Sequence, residues 1–118
     1  MTTAAELFER LANVGRIAAM RNVRCSYVYH VRQAGDWRVT INDGAVGVQK
    51  DVGGSEGDAT FTCDEQEFVD MVEGRRNMGT TAMQGRLAFK GEYEHLMTQI
   101  PLFQSINPQR QQRRMGSV

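Results

Sequence analysis

Apolar residues recur along this chain with two alternating periods, and each change of period marks a new element. Leu7, Leu11 and Val14, with Phe8 and Ala12 beside them, repeat at helical spacing and predict a helix over residues 4–13. Thr3 and Glu6 have the spacing of a capping box, in which the Thr hydroxyl takes one free amide and Glu6 reaches back to another. Gly15 is placed to end this helix, and residues 17–20 fit a further turn.

The period then shortens to two. Val23, Tyr27, Val28, Tyr29 and Val31 are β-branched or aromatic and predict a strand over 23–32. After the turn residues Ala34, Gly35 and Asp36, the segment 37–41 alternates. Trp37, Val39 and Ile41 share one face; Arg38, Thr40 and Asn42 share the other. Asn42-Asp43-Gly44 predicts a tight turn into a third strand at 45–50. Residues 52–57 hold three glycines and read as a flexible loop. A phosphate-cradling loop opens a helix, whereas here the alternating segment 59–63 follows as a fourth strand.

Asp64 and Glu67 repeat the capping-box spacing ahead of the apolar stripe Phe68, Met71 and Val72, with Gly74 where a helix C-terminus belongs. Residues 78–83 fit a short helix. Residues 86–91 fit a fifth strand with Leu87 and Phe89 on one face. Residues 93–103 fit a last amphipathic helix with Leu96, Met97, Ile100 and Phe103 apolar and Pro101 near its end. Residues 107–118 are polar, carry Arg110, Arg113 and Arg114, and read as a loose tail. Helix, four strands, helix, strand, helix is an α+β plan: one largely antiparallel five-stranded sheet with its helices gathered on one face.

Composition narrows the function classes. With 118 residues the chain is one domain, and its 41% hydrophobic and 24% charged residues suit a folded core. Fourteen basic residues cancel fourteen acidic ones, so no overall charge draws the chain to nucleic acid. No apolar run approaches the ~18 residues of a membrane span. The N-terminus lacks the layout of a secretory signal and Met115-Gly116-Ser117-Val118 is not a peroxisomal signal, so a cytoplasmic protein is expected.

Candidate chemistry is sparse. Cys25 and Cys63 lack metal-ligand spacing and read as two buried thiols, with a disulfide between them left open; no metal site and no cofactor is expected. Asp64, Glu65 and Glu67 are explained by capping and the helix dipole. His30 and His95 are the only histidines and read as surface residues. No catalytic signature occurs, and no catalytic residue is assigned. Arg75 and Arg76 and the tail arginines could meet acyl-CoA phosphates or anionic headgroups, but three tail arginines are too few for anchoring, so membrane contact is at most transient.

The ordered set of motifs resembles the sterol carrier protein type-two domain family. The stretches are Gly35-Asp-Trp-Arg-Val-Thr-Ile-Asn-Asp-Gly44, Gly57-Asp-Ala-Thr-Phe-Thr-Cys-Asp64, Glu67-Phe68, Glu73-Gly-Arg-Arg-Asn-Met78 and Ala82-Met-Gln-Gly-Arg-Leu-Ala-Phe-Lys-Gly91. The likeness covers residues 1–106 and leaves 107–118 as the tail. It implies an apolar tunnel between sheet and helices that takes a fatty acid, fatty acyl-CoA, sterol or isoprenoid-like lipid as partner. It places Phe68, Met71 and Val72 on a tunnel-side helix, Leu96, Met97, Ile100 and Phe103 on a gating helix, and Gln84 at the tunnel mouth. Met78 and Met83 join this set because flexible thioether chains adapt to ligands of varied shape.

A ligand-sized void of ~300 Å³ would cost roughly 7 kcal/mol if dry and empty. Such a protein must collapse, admit water or stay loaded. Non-catalytic lipid transfer is the first reading. An enzyme or accessory subunit using the same cavity, with His30, His95, Tyr27 or Tyr29 as candidates, is the second. An interaction module that brings a hydrophobic substrate to a partner enzyme, as a homodimer or alone, is the third.

Overall fold

The computed structural model describes residues 2–50 and 57–107. Helix α1 spans Ala4–Ala12, and a single 3-10 turn Ala18–Met20 leads into strands β1 (Arg24–Arg32), β2 (Gly35–Asn42), β3 (Ala45–Lys50) and β4 (Ala59–Asp64). Helices α2 (Glu65–Val72) and α3 (Met78–Met83), the short strand β5 (Ala88–Lys90) and helix α4 (Tyr93–Ser105) complete the order. The predicted loop 52–57 lies outside the described residues except for Gly57, and the predicted tail lies outside them after Asn107.

The sheet order is β3-β2-β1-β4-β5. All pairs are antiparallel except the central one, where β1 and β4 run parallel with Tyr29 opposite Phe61 and Arg32 opposite Asp64. The β2–β3 hairpin closes on Asp43 (φ 53°) and Gly44 (φ 85°). Two successive positive φ values define the tight turn whose twist matches the strands, and Asp-Gly is the pair that adopts it. The Asp43 carboxylate accepts from the Asn22 amide at 2.8 Å and pairs with Arg16 at 3.3 Å, tying the turn to the segment before β1. These contacts, the Asn22 bond foremost, hold its pKa below the usual carboxylate range.

One face of the sheet is largely polar: Ser26 and His30 on β1, Asp36 and Thr40 on β2, and Thr60 and Thr62 on β4 alternate with the inward positions, with Val28 buried between Ser26 and His30. There His30 meets Asp36 across the strands at 3.0 Å. The other face is apolar and carries the helices. Tyr27, Tyr29, Val31, Trp37, Val39, Ile41, Phe61 and Cys63 join Leu7, Phe8 and Leu11 of α1 and Phe68, Met71 and Val72 of α2 in one core. The Phe8 ring lies between Trp37, at 4.5 Å and 14°, and Phe68, at 4.9 Å and 12°.

The two capping boxes fare differently. Thr3 Oγ1 accepts from the Glu6 amide at 3.2 Å, but the amide of Ala4 donates to Glu65 of α2, at 3.0 Å, so the second acidic partner is supplied across the fold. At α2 the residue in the cap position, Asp64, makes no capping bond. Its carboxylate accepts from Arg32 Nε at 2.6 Å, while Gln33 Oε1 takes the Glu65 amide at 3.2 Å. The C-terminus of α2 follows its sequence: Gly74 has φ 85°, its amide donates to Met71, and the Arg75 amide donates to Asp70 at 2.8 Å. That pair of bonds is the Schellman motif.

Candidate functional site

The layer between the apolar sheet face and α4 is the candidate site. At backbone level α1 runs close along β3 and α2 along β1 and β4, whereas α4 flanks no strand or helix so closely and is held through side chains. Leu96, Gln99, Leu102 and Phe103 of α4 are buried. Phe103 meets Phe68 edge to face at 6.1 Å, and Asn107 just beyond the helix donates to the Val72 carbonyl at 3.2 Å. Pro101 has no N–H, so the Met97 carbonyl lacks its ordinary donor one turn on.

Two polar contacts cross this apolar layer. Tyr27 OH and His95 Nδ1 share a hydrogen bond of 3.1 Å, and Tyr29 OH donates to Gln99 Oε1. The alternation of a strand puts Tyr27 and Tyr29 on one sheet face, and helical spacing puts His95 and Gln99 on one side of α4. Gln99 Nε2 donates back to the His95 carbonyl at 2.9 Å. Tyr27 and Gln99 are fully buried and Tyr29 is 2% exposed. Burial holds both phenols above their usual range, with Cys25 adding to it at Tyr27 and Tyr27 adding to it at Tyr29. His95 is half-buried and bonded, which corrects its reading as a surface residue; the Tyr27 hydroxyl at that spot is invisible to a scan of α4 alone.

Among the ten residues the sequence singles out, Phe68, Met71, Val72, Leu96 and Phe103 are brought together in the core. Met78 and Ile100 are half-buried. Met83 is 90% exposed and Met97 46% exposed, while Gln84 is exposed at the end of α3. The buried inward residue of α3 is Thr81, held by its hydroxyl on the Asn77 carbonyl at 2.6 Å, and Met83 turns outward. A surface concavity of about 910 Å³ lies elsewhere, between α1 and the end of α4, lined by Glu6, Glu9, Arg10, Glu73 and Ile106 among others; none of the ten residues lines it.

Both cysteines are free. Burial, with Glu67 second, pushes the Cys63 thiol up to about 12; burial likewise raises Cys25. Among the described residues no group of His, Cys, Asp or Glu could hold a metal ion, and no helix is long and apolar enough to cross a membrane. Arg75 is committed to Asp70 at 2.8 Å and Glu73 at 2.6 Å.

No curated protein matches the chain in sequence. Solved structures do match in fold. A double mutant of a sec-alkyl sulfatase aligns with a TM-score of 0.74 at 14% identity, over 90% of this chain and 16% of the enzyme. The palmitated sterol carrier protein 2-like 2 of Aedes aegypti aligns at 0.62 with 17% identity, over 86% of this chain and 95% of that one. Sterol carrier protein 2 of Yarrowia lipolytica, in its apo form, aligns at 0.52 with 18% identity, over 88% and 78%. This chain therefore spans only a small part of the sulfatase but most of the two sterol carrier proteins. The sequence pattern of the SCP-2 sterol transfer family matches residues 5–104, and the chain belongs to that family.

Proposed function

We propose that this protein is a non-catalytic cytoplasmic lipid carrier that takes a fatty acid, fatty acyl-CoA, sterol or isoprenoid-like lipid into the layer between sheet and α4. Family membership carries the reading. The layering supports it: an aromatic sheet face lies under a helix attached by side chains, and that helix can move outward without breaking a backbone ladder. Phe68, Met71, Val72, Leu96 and Phe103 would wall the ligand, with Met78 and Ile100 at its sides and Met83, Gln84 and Met97 at the rim. Each buried methylene contributes about 0.8 kcal/mol, so a medium acyl chain suffices for firm binding. Held to the sheet through side chains, α4 is the piece that shifts on loading.

Native mass spectrometry of gently purified protein, followed by solvent extraction, tests this. A stoichiometric acyl, isoprenoid or sterol adduct is expected. Added ligand at a hundred times its dissociation constant should stabilise the fold by about 2.7 kcal/mol. A clean apo mass together with an unchanged melting temperature across a panel of fatty acid, acyl-CoA and sterol would overturn it.

The sulfatase neighbour favours one second reading, in which the same fold serves as the substrate-holding part of an enzyme or a partner of one. Turnover of a hydrophobic substrate, abolished by Tyr27→Phe or His95→Ala, distinguishes it from a carrier that returns its ligand unchanged.

A further inference from the structure

We infer that the buried Tyr29–Gln99 pair is the recognition point for the polar end of the ligand, and that this end is an uncharged hydroxyl or carbonyl. The inference rests on the carrier reading and extends it to the chemistry and orientation of the ligand.

A side-chain amide and a phenol are costly to bury in an apolar layer, and two leucine-like residues would hold α4 to the sheet equally well. Both are nonetheless sealed from water, and aromatic rings surround Tyr29: Phe61 stacks on it at 5.0 Å, and Phe8 and Phe68 meet it edge to face at 5.4 and 6.0 Å. The bonds in place leave capacity over. Gln99 uses one of its two amide N–H groups, on the His95 carbonyl, and one bond at its oxygen, from Tyr29. Tyr29 OH donates once and retains its lone pairs. Together they offer a donor and an acceptor within one small space. A hydroxyl or a protonated carboxyl can use both, and a carbonyl can use the donor.

The site suits no ionised group. The rings packed on Tyr29 are Phe8, Phe61 and Phe68, its bonded partner is the neutral Gln99 amide, and among the described residues no Arg or Lys bonds either residue; the basic side chain beside them, His95 one turn before Gln99, is bonded to Tyr27. An anion there would be desolvated without a counter-charge. The polar end therefore enters first and the tail trails toward the rim. Gln84, exposed at the end of α3, is left to the outer end of the ligand.

Titrations of the isotope-labelled full chain with 1-decanol, 1-chlorodecane and ionised decanoate, followed by NMR, test this. Decanol is expected to bind about tenfold tighter than chlorodecane, the worth of roughly one hydrogen bond, and to shift the Gln99 side-chain amide resonances. Decanoate is expected to bind more weakly than decanol. Gln99→Leu and Tyr29→Phe should each erase the preference for decanol while chlorodecane binds as well as before or better. If the pair is only a latch for α4, both ligands tighten together in both variants and the inference fails. If decanol and chlorodecane bind the unaltered protein equally, the head-group assignment falls and the carrier reading stands. If none of the three binds, the inference fails, and the panel of fatty acid, acyl-CoA and sterol then decides the carrier reading. Thr40→Ala, on the polar sheet face away from α4, serves as the folding control and should keep the decanol preference.

Discussion

Phe8 and Trp37 stack with their ring centroids 4.5 Å apart and their planes 14° off parallel, which makes α1 part of the core rather than a leader lying on it. Phe8 is 2% exposed and also stacks on Phe68 of α2, so one ring joins both helices to β2. Phe8→Ala is expected to lower stability by about 3–5 kcal/mol. Urea unfolding followed by Trp37 fluorescence measures it, and a loss below about 1 kcal/mol would show that α1 contributes little.

Gly74 and Gly47 should respond in opposite ways to alanine. Gly74 closes α2 at φ 85°, where a side chain costs roughly 1–2 kcal/mol. Gly47 lies within β3 with open space where its Cβ would go, so alanine there removes backbone freedom from the unfolded chain without a clash. Thermal melts of the two variants should fall on either side of the parent protein.

Asp43 predicts a pH dependence with a definite sign. Its folded pKa is depressed, so its contribution is present above the unfolded value near ~3.9 and is lost as pH falls through the folded one. Asp43→Asn should melt below the parent at neutral pH, and the gap should close in acid. A gap that stays constant across that range would show that the carboxylate charge is not what matters.

The two thiols should differ in reactivity. Cys63 is buried with its pKa pushed to about 12, so almost no thiolate exists near neutral pH, while Cys25 is half-buried and raised less far. Iodoacetamide on the native protein should label Cys25 slowly and Cys63 hardly at all, and both should label in urea. Mass spectrometry of the labelled peptides reads this directly; equal native rates would contradict the burial of Cys63.

What was legible in the sequence was whatever a few neighbouring residues decide. Asp43-Gly44 dictates its turn, Gly74 its helix end, and the alternation of Trp37, Val39 and Ile41 their common face. The five strands and the family follow from such local signals taken in order. The rest depends on partners far along the chain. Asp64 has the spacing of a helix cap, yet the parallel register of β1 and β4 sets Arg32 beside it and takes its carboxylate. His95 and Gln99 look like ordinary helix residues until Tyr27 and Tyr29 arrive beneath them. Met71 and Met83 are chemically alike, but one faces the core and the other solvent, because composition says nothing about how α3 is turned.

The central parallel pair has a consequence for biosynthesis. Strands β1, β2 and β3 are joined by short turns and can zip up as soon as Lys50 clears the ribosome. At that moment one side of β1 still has a row of unpaired amides and carbonyls, because its partner β4 is synthesised later. The nascent meander thus exposes an adhesive border until Ala59–Asp64 slots in, which makes the interval between those two stages the time at which this protein most needs a chaperone.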